Sequence, residues 1–291
     1  MTSVSIRDVA PRDGLQGERA VDPARRVELI ERLLAAGLRD VEVASFVSPN
    51  AVPAMAGASD VVAAALALAA DGVTLWALVP NVKGAELASA AGVDHLTITI
   101  SASAAYSEKN VRMTIDEAKS QVEAIRAAAP DAVLDEVVSC CFGSPFDGED
   151  ITPDDVDAIV EHARGAGIDY VTLADTTGVA TPRRISAVLG VVGSDVGLHL
   201  HDTRGTALVN AWFALEHGIR RFDTALGGLG GSPFAPTAGG NLATEDLVLV
   251  LNDVGVETGI DLDRLLDAGP LLADLVGHDL PSRVAAAGGI A

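Results

Sequence analysis

The sequence predicts an α/β fold in which eight parallel strands close into a (β/α)8 barrel, with a C-terminal helical extension. Three observations predict it. Eight short β-branched runs alternate with Ala- and Leu-rich stretches of helical spacing, the pattern of repeated βαβ units. The chain of 291 residues is the usual length of one such barrel, and no Pro/Gly/Ser-rich linker divides it. The strands are near-continuous apolar runs, as strands covered on both faces are.

In chain order the strands fall at residues 4–9, 41–46, 74–79, 95–100, 134–141, 170–174, 196–200 and 221–225. Residues 25–36 follow Asp22-Pro23, a cap and a first-turn proline, and stop at Gly37. Residues 115–129 follow Thr114, with Glu117 three positions on, a capping box. Helices at 154–164 and 183–189 follow Thr152-Pro153 and Thr181-Pro182. Residues from about 261 to 291 exceed the eighth unit and read as the helical extension and an Ala/Gly tail. The whole of 1–291 is expected to be one domain.

Charge excludes whole classes of partner. The chain carries 20 Lys+Arg against 41 Asp+Glu, a formal net charge of −21, so it has no basic footprint for nucleic acid or an anionic membrane. At 49% hydrophobic residues it is not a disordered chain. The longest apolar run, 61–70, is too short to span a bilayer, and the first residues lack an apolar signal region. Two adjacent cysteines, Cys140 and Cys141, cannot build a disulfide framework; they are placed inside the fifth strand as packing residues. A cytoplasmic protein is expected.

A barrel of this kind collects its chemistry at the C-terminal ends of its strands. Here those ends carry Arg12-Asp13, Glu42, Asp175 and His199-Leu200-His201. Residues i and i+2 of a strand face one side, so both imidazoles point into one site. Asp13 lies across the closure seam, and with the amide oxygen of Asn241 it completes a mixed N/O donor set. Such a set suits Mg²⁺, Mn²⁺ or Co²⁺ better than structural zinc. Arg12 is either an oxyanion partner or a barrel-mouth salt bridge. Glu42 is either its structural partner or a site carboxylate, and Asp175 either an anchor or an acid–base group. The glycine-rich stretch 227–231 lacks the context of a dinucleotide fingerprint and reads as a mobile flap over the mouth, with the next helix beginning near Asn241. His95, His162, His217 and His278 read as ordinary histidines.

Seven stretches, in order, carry a resemblance to a known family. They are residues 8–18 around Arg12-Asp13-Gly14-Leu15-Gln16, 42–49, 78–84, the Lys109-Asn110 pair, 175–179, 199–203 and 240–246. They resemble the 3-hydroxy-3-methylglutaryl-CoA (HMG-CoA) lyases of the pyruvate-carboxyltransferase-like TIM-barrel superfamily. The resemblance implies Asp13, His199, His201 and Asn241 as ligands of a divalent metal, Mg²⁺ or Mn²⁺. It implies Arg12, Glu42 and Asp175 as catalytic, with His201 or Asp13 as the base. It implies retro-Claisen cleavage of a 3-hydroxy-3-methyl acyl-CoA to acetyl-CoA and a ketone-bearing fragment, in a homodimer. The cations and amide near the mouth, Lys83, Lys109, Asn110 and Arg204, with Arg112, are candidates for holding the CoA.

Two positions depart from the family pattern. Ser232 stands where the flap of these lyases carries a reactive cysteine, and an alcohol cannot act as a ready thiolate. Arg204 stands where they carry an aromatic residue. The alternatives are therefore a lyase for a related 3-hydroxyacyl-CoA such as citramalyl-CoA, a Claisen-condensing synthase, and a non-catalytic acyl-CoA-binding barrel.

Overall fold

The computed structural model describes residues 3–146, 148–231 and 239–288. Eight strands, β1 (Ser5–Asp8), β2 (Asp40–Ser45), β3 (Thr74–Leu78), β4 (His95–Ser101), β5 (Val133–Ser139), β6 (Tyr170–Ala174), β7 (Gly197–His199) and β8 (Arg221–Thr224), close in sequence order into a barrel. Every neighbouring pair is parallel, and β8 pairs back onto β1. Each predicted strand is present, with its ends within two residues of the predicted bounds.

The helices are α1 (Pro23–Ala35), α2 (Ala58–Leu68), α3 (Val82–Ala91), α4 (Ala104–Asn110), α5 (Ile115–Ala128), α6 (Pro153–Gly165), α7 (Pro182–Val192), α8 (Ala207–Glu216) and α9 (Thr244–Asp253). The predicted caps are made. Asp22 accepts from Ala24 N at the start of α1, and Thr114 and Glu117 form a reciprocal capping box on α5. Thr152 and Asp155 do the same on α6. The α9 helix begins at Thr244 rather than near Asn241, which leaves Asn241 in the extended segment before it.

The extension consists of α10 (Leu262–Val276), packed on α1 and α9, and α11 (Arg283–Ala287). It braces the barrel mouth. Ser282 N donates to Gly227 O at 3.0 Å, and Ser282 Oγ donates to Asp246 at 2.9 Å. No helix among the described residues is long and apolar enough to cross a membrane.

Two local irregularities aim the site. After β1 the chain makes a single π-helical turn, Ala10–Gly14, in which the N–H groups of Arg12, Asp13 and Gly14 all donate to Val9 O. A register shift between Glu42 and Ala44 bulges β2 where Glu42 enters the barrel. Asp8 locks the mouth: one carboxylate oxygen accepts from Ala10 N, and the other accepts from Leu226 N and Thr244 Oγ1.

The structure corrects the placement of the cysteines. The fifth strand ends at Ser139, and both thiols lie in the turn that follows, Cys140 with left-handed backbone (φ 62°). Both are buried, as expected of packing residues.

Candidate active site

The π-turn of β1, the bulge of β2 and the ends of β7 and β8 deliver one cluster. His199 Nε2 and His201 Nε2 stand 3.2 Å apart, and these histidines share with Asp13 a set of ligand atoms all within 4.8 Å of one another. An isolated bridge pairs His201 with Asn241 and brings the amide to the same place. Asn241 Nδ2 donates to Asp13 Oδ2 at 2.7 Å and to Leu229 O at 2.8 Å, which fixes the amide orientation. Its Oδ1 is then a buried acceptor with no partner among the described residues. Two imidazole lone pairs facing each other, a carboxylate and an orphaned amide oxygen are what a divalent cation with mixed N/O preference fits. The four predicted ligands thus come together.

Arg12 is held by two acids. Its Nε donates to Glu42 Oε2 at 2.6 Å, and its Nη1 donates to Asp13 Oδ1 at 2.8 Å. Gln16 Nε2 also donates to Asp13 Oδ1 at 2.7 Å. Glu42 is fully buried and is the partner of Arg12, with its Oε1 left unpaired. Burial pushes Asp13 up, but Arg12, His199 and the Asn241 bond outweigh it and hold the carboxylate below its ordinary range. Burial, then the charge of His199, pushes His201 down to about 4, so its imidazole is neutral. Burial also lowers His199, but the bond to Asp223 and that carboxylate's charge outweigh it and the net shift is upward.

Asp175 follows β6 beside His199, whose carbonyl accepts from Asp175 N at 2.8 Å. Its side chain accepts from Val179 N and Ala180 N and so pins the loop before α7. Burial pushes its pKa up to about 6, against those bonds. Both readings of Asp175, anchor and acid–base group, stay compatible with this geometry.

The CoA candidates do not form part of the cluster. Lys83 is exposed in the first turn of α3, 3.6 Å from Glu86. Lys109 lies over the ring of Phe146, 5.0 Å from its centroid, and Asn110 ends α4. Arg112, just beyond, has left-handed backbone (φ 58°). Arg204 is exposed, but its Nη1 donates to the carbonyls of Thr177 and Gly178 at 2.7 and 3.0 Å, so that part of the guanidinium staples the β6–α7 loop. Ser232 lies outside the described residues. The glycines before it pack closely on the site, where a Cβ on Gly230 would meet Asn241 Nδ2 at 2.3 Å.

Sequence reasoning missed a second buried layer beneath the cluster. Arg7 Nε and Nη2 donate to the two oxygens of Asp223 at 2.8 and 2.9 Å, and Arg7 Nη2 pairs with Asp135 at 2.7 Å. Asp223 Oδ2 meets His199 Nδ1 at 3.2 Å. These side chains roof a cavity of about 260 Å³ at the N-terminal end of the barrel, walled by Trp76, Tyr170 and Arg221. The signal was present only as Asp223 directly opposite His199 in the β7–β8 register, which needs the barrel to be closed first.

Comparison with known proteins fits this geometry. Residues 3–272 match the HMGL-like family model. The (R)-citramalyl-CoA lyase of Chloroflexus aurantiacus is 44% identical over 99% of this chain and 96% of its own. The 3-hydroxy-3-isohexenylglutaryl-CoA/hydroxymethylglutaryl-CoA lyase of Pseudomonas aeruginosa is 39% identical over 98% and 96%. An HMG-CoA lyase of Acinetobacter baumannii, solved with coenzyme A and 3-methylmalate, superposes with a TM-score of 0.92 at 39% identity, covering 99% of this chain and 95% of that one. The chain belongs to the HMGL-like family, and it is a carbon–carbon lyase.

Proposed function

We propose that the protein cleaves a 3-hydroxy-3-methyl acyl-CoA, with HMG-CoA as the first substrate, to acetyl-CoA and acetoacetate in the presence of Mg²⁺ or Mn²⁺. The observation that carries this reading is the convergence of Asp13, His199 and His201 within 4.8 Å beside a clamped Arg12. A divalent ion held by these residues and Asn241 would supply Lewis acidity to the substrate's hydroxyl and carboxylate oxygens. His201 or Asp13 takes the C3 hydroxyl proton. The C2–C3 bond then breaks, and its electron pair becomes the acetyl-CoA enolate. Arg12, pre-oriented by Glu42 and Asp13, donates to the enolate oxygen. The enolate carbon is protonated by a group at the mouth, for which Asp175, its pKa pushed up to about 6 by burial, and the Ser232 hydroxyl are the candidates. Lys83, Lys109 and Asn110 hold the CoA at the same end of the barrel. Arg204 contributes by fixing the β6–α7 loop.

A second reading is a lyase for citramalyl-CoA, which shares the 3-hydroxy-3-methyl centre but has its carboxylate one carbon nearer. The 44% identity to a citramalyl-CoA lyase and the serine at position 232 favour it. Purified protein incubated with Mn²⁺ and each acyl-CoA, followed by acetyl-CoA release, separates the two. No release from either excludes both and leaves a lyase for another 3-hydroxyacyl-CoA. Ser232→Cys raises HMG-CoA cleavage under the first reading and leaves it flat or lowers it under the second. The same reading includes a homodimer, to be checked by light scattering. Its compartment is the cytoplasm, consistent with two unpaired buried cysteines.

A further inference from the structure

We infer that Asp223 is a positioning residue that sets the tautomer of His199 and thereby the metal affinity of the site, an inference that rests on the metal-assisted reading above. Both Asp223 oxygens already accept from Arg7, Oδ1 from Nε at 2.8 Å and Oδ2 from Nη2 at 2.9 Å. A carboxylate so held offers only acceptors, so the hydrogen of its 3.2 Å contact with His199 must sit on Nδ1. That leaves the Nε2 lone pair of His199 free and aimed at the position it shares with His201 Nε2, 3.2 Å away. A carboxylate behind a ligating imidazole fixes both ring orientation and basicity. The arrangement is anchored further down. Asp135 pairs with Arg7 at 2.7 Å and itself accepts from Thr172 Oγ1. The buried row Asp135–Arg7–Asp223–His199 thus ties the floor of the barrel to one ligand.

Asp223→Asn tests this with almost no change in volume. An amide has one acceptor where the carboxylate has two. If its oxygen faces His199, its NH₂ opposes the Arg7 Nε–H; if its oxygen faces Nε–H, its NH₂ opposes His199 Nδ1 and drives the hydrogen to Nε2, where no lone pair remains for a cation. Two readouts are needed. Long-range ¹H–¹⁵N NMR of the metal-free protein, with His199 assigned by comparison with His199→Gln, reports the tautomer. Titration with Mn²⁺, followed by loss of the free-ion EPR signal, reports affinity. The expected result is an Nδ1–H tautomer in the native chain, a shift toward Nε2–H in Asp223→Asn, and a Kd for Mn²⁺ raised about 10–100-fold. At saturating Mn²⁺ the KM for acyl-CoA stays unchanged. An Nε2–H tautomer in the native chain overturns the inference even if the variant does not fold, and so does native Mn²⁺ affinity in a folded variant. Native-chain tautomer and Mn²⁺ binding are read without substrate, so failure of the lyase reading would show separately as absent turnover with both intact.

Discussion

Gly230 packs its backbone against the proposed metal site, and Gly230→Ala gives a sharp test of the geometry. An added Cβ would lie 2.3 Å from Asn241 Nδ2 and 2.7 Å from Asp13 Oδ2, where ordinary contact begins near 3.4 Å. Relief requires the Asn241 amide to move by about 1 Å, a displacement that costs on the order of 100-fold in rate when it reaches catalytic groups. That factor corresponds to about 2.7 kcal/mol of transition-state stabilisation. The backbone adds its own cost, since φ at Gly230 is +110° and a side chain there is strained by roughly 1–3 kcal/mol. The variant is therefore expected to melt a few degrees lower, to bind Mn²⁺ more weakly, and to lose about two orders of magnitude in kcat/KM for acetyl-CoA release. Gly239→Ala is the control: among the described residues nothing lies within 4 Å of its Cβ, and it should retain native turnover. Native kcat/KM in Gly230→Ala, or an equal loss in Gly239→Ala, would refute the reasoning.

Three further outcomes are expected. Glu136 has no hydrogen-bond partner among the described residues through either oxygen, and burial raises its pKa from 4.5 to about 8. The folded state thus holds the proton more tightly, so stability is full below about pH 4.5 and falls as pH rises toward 8; Glu136→Gln should remove that slope and be the more stable protein above it, by on the order of a few kcal/mol in denaturant titrations, and parallel pH profiles would count against this. Burial pushes the Cys140 thiol up to about 12 and Cys141 higher still than an ordinary thiol, so native protein should resist a thiol reagent while denatured protein reacts at both, and rapid native labelling would contradict the placement. Lys83→Ala and Lys109→Ala should each raise KM for acyl-CoA about 2–5-fold at low salt with kcat unchanged, and the gap should narrow as ionic strength rises; two variants with native KM would remove these lysines from CoA binding.

What the sequence made legible follows from which features are local. The strands announce themselves by β-branched runs, and the capped helices by Thr114, Thr152 and Asp22, because each signal lies within a few residues of its effect. His199 and His201 were readable because the strand period is two. Arg12 and Asp13 are a different case: adjacent residues on a strand diverge, and the two converge only because the Ala10–Gly14 segment is a π-turn. Motif resemblance located them, while periodicity gave no reason for their meeting. Asp223, Arg7 and Asp135 were out of reach because their contacts join distant parts of the chain; the Arg7–Asp223 pair spans 216 residues and exists only once β8 closes on β1. The cysteines were misplaced because the left-handed turn at Cys140 is held by a tertiary contact, Cys140 N donating to Thr176 Oγ1 at 2.9 Å. Arg204 pointed to the mouth in sequence, but its long side chain reaches loop carbonyls that no local pattern reveals.

The formal charge of −21 poses the remaining problem, since CoA is itself an anion. That count assigns a full negative charge to every acid, whereas Asp8, Asp13, Glu42, Asp135, Glu136, Asp175, Asp223, Glu245 and Asp246 are buried. Glu136, with a pKa of about 8, is neutral at pH 7, and Glu245, at about 7, is half so. Asp13, Glu42, Asp135 and Asp223 are paired with Arg7 or Arg12 inside the barrel. At physiological salt the field of these charges is screened beyond about 8 Å. Within that distance only the groups at the mouth count. A negative body then excludes extended polyanions, which must lie along many exposed acids at once, while a compact one needs only a few local cations and amides, the role proposed for Lys83 and Lys109.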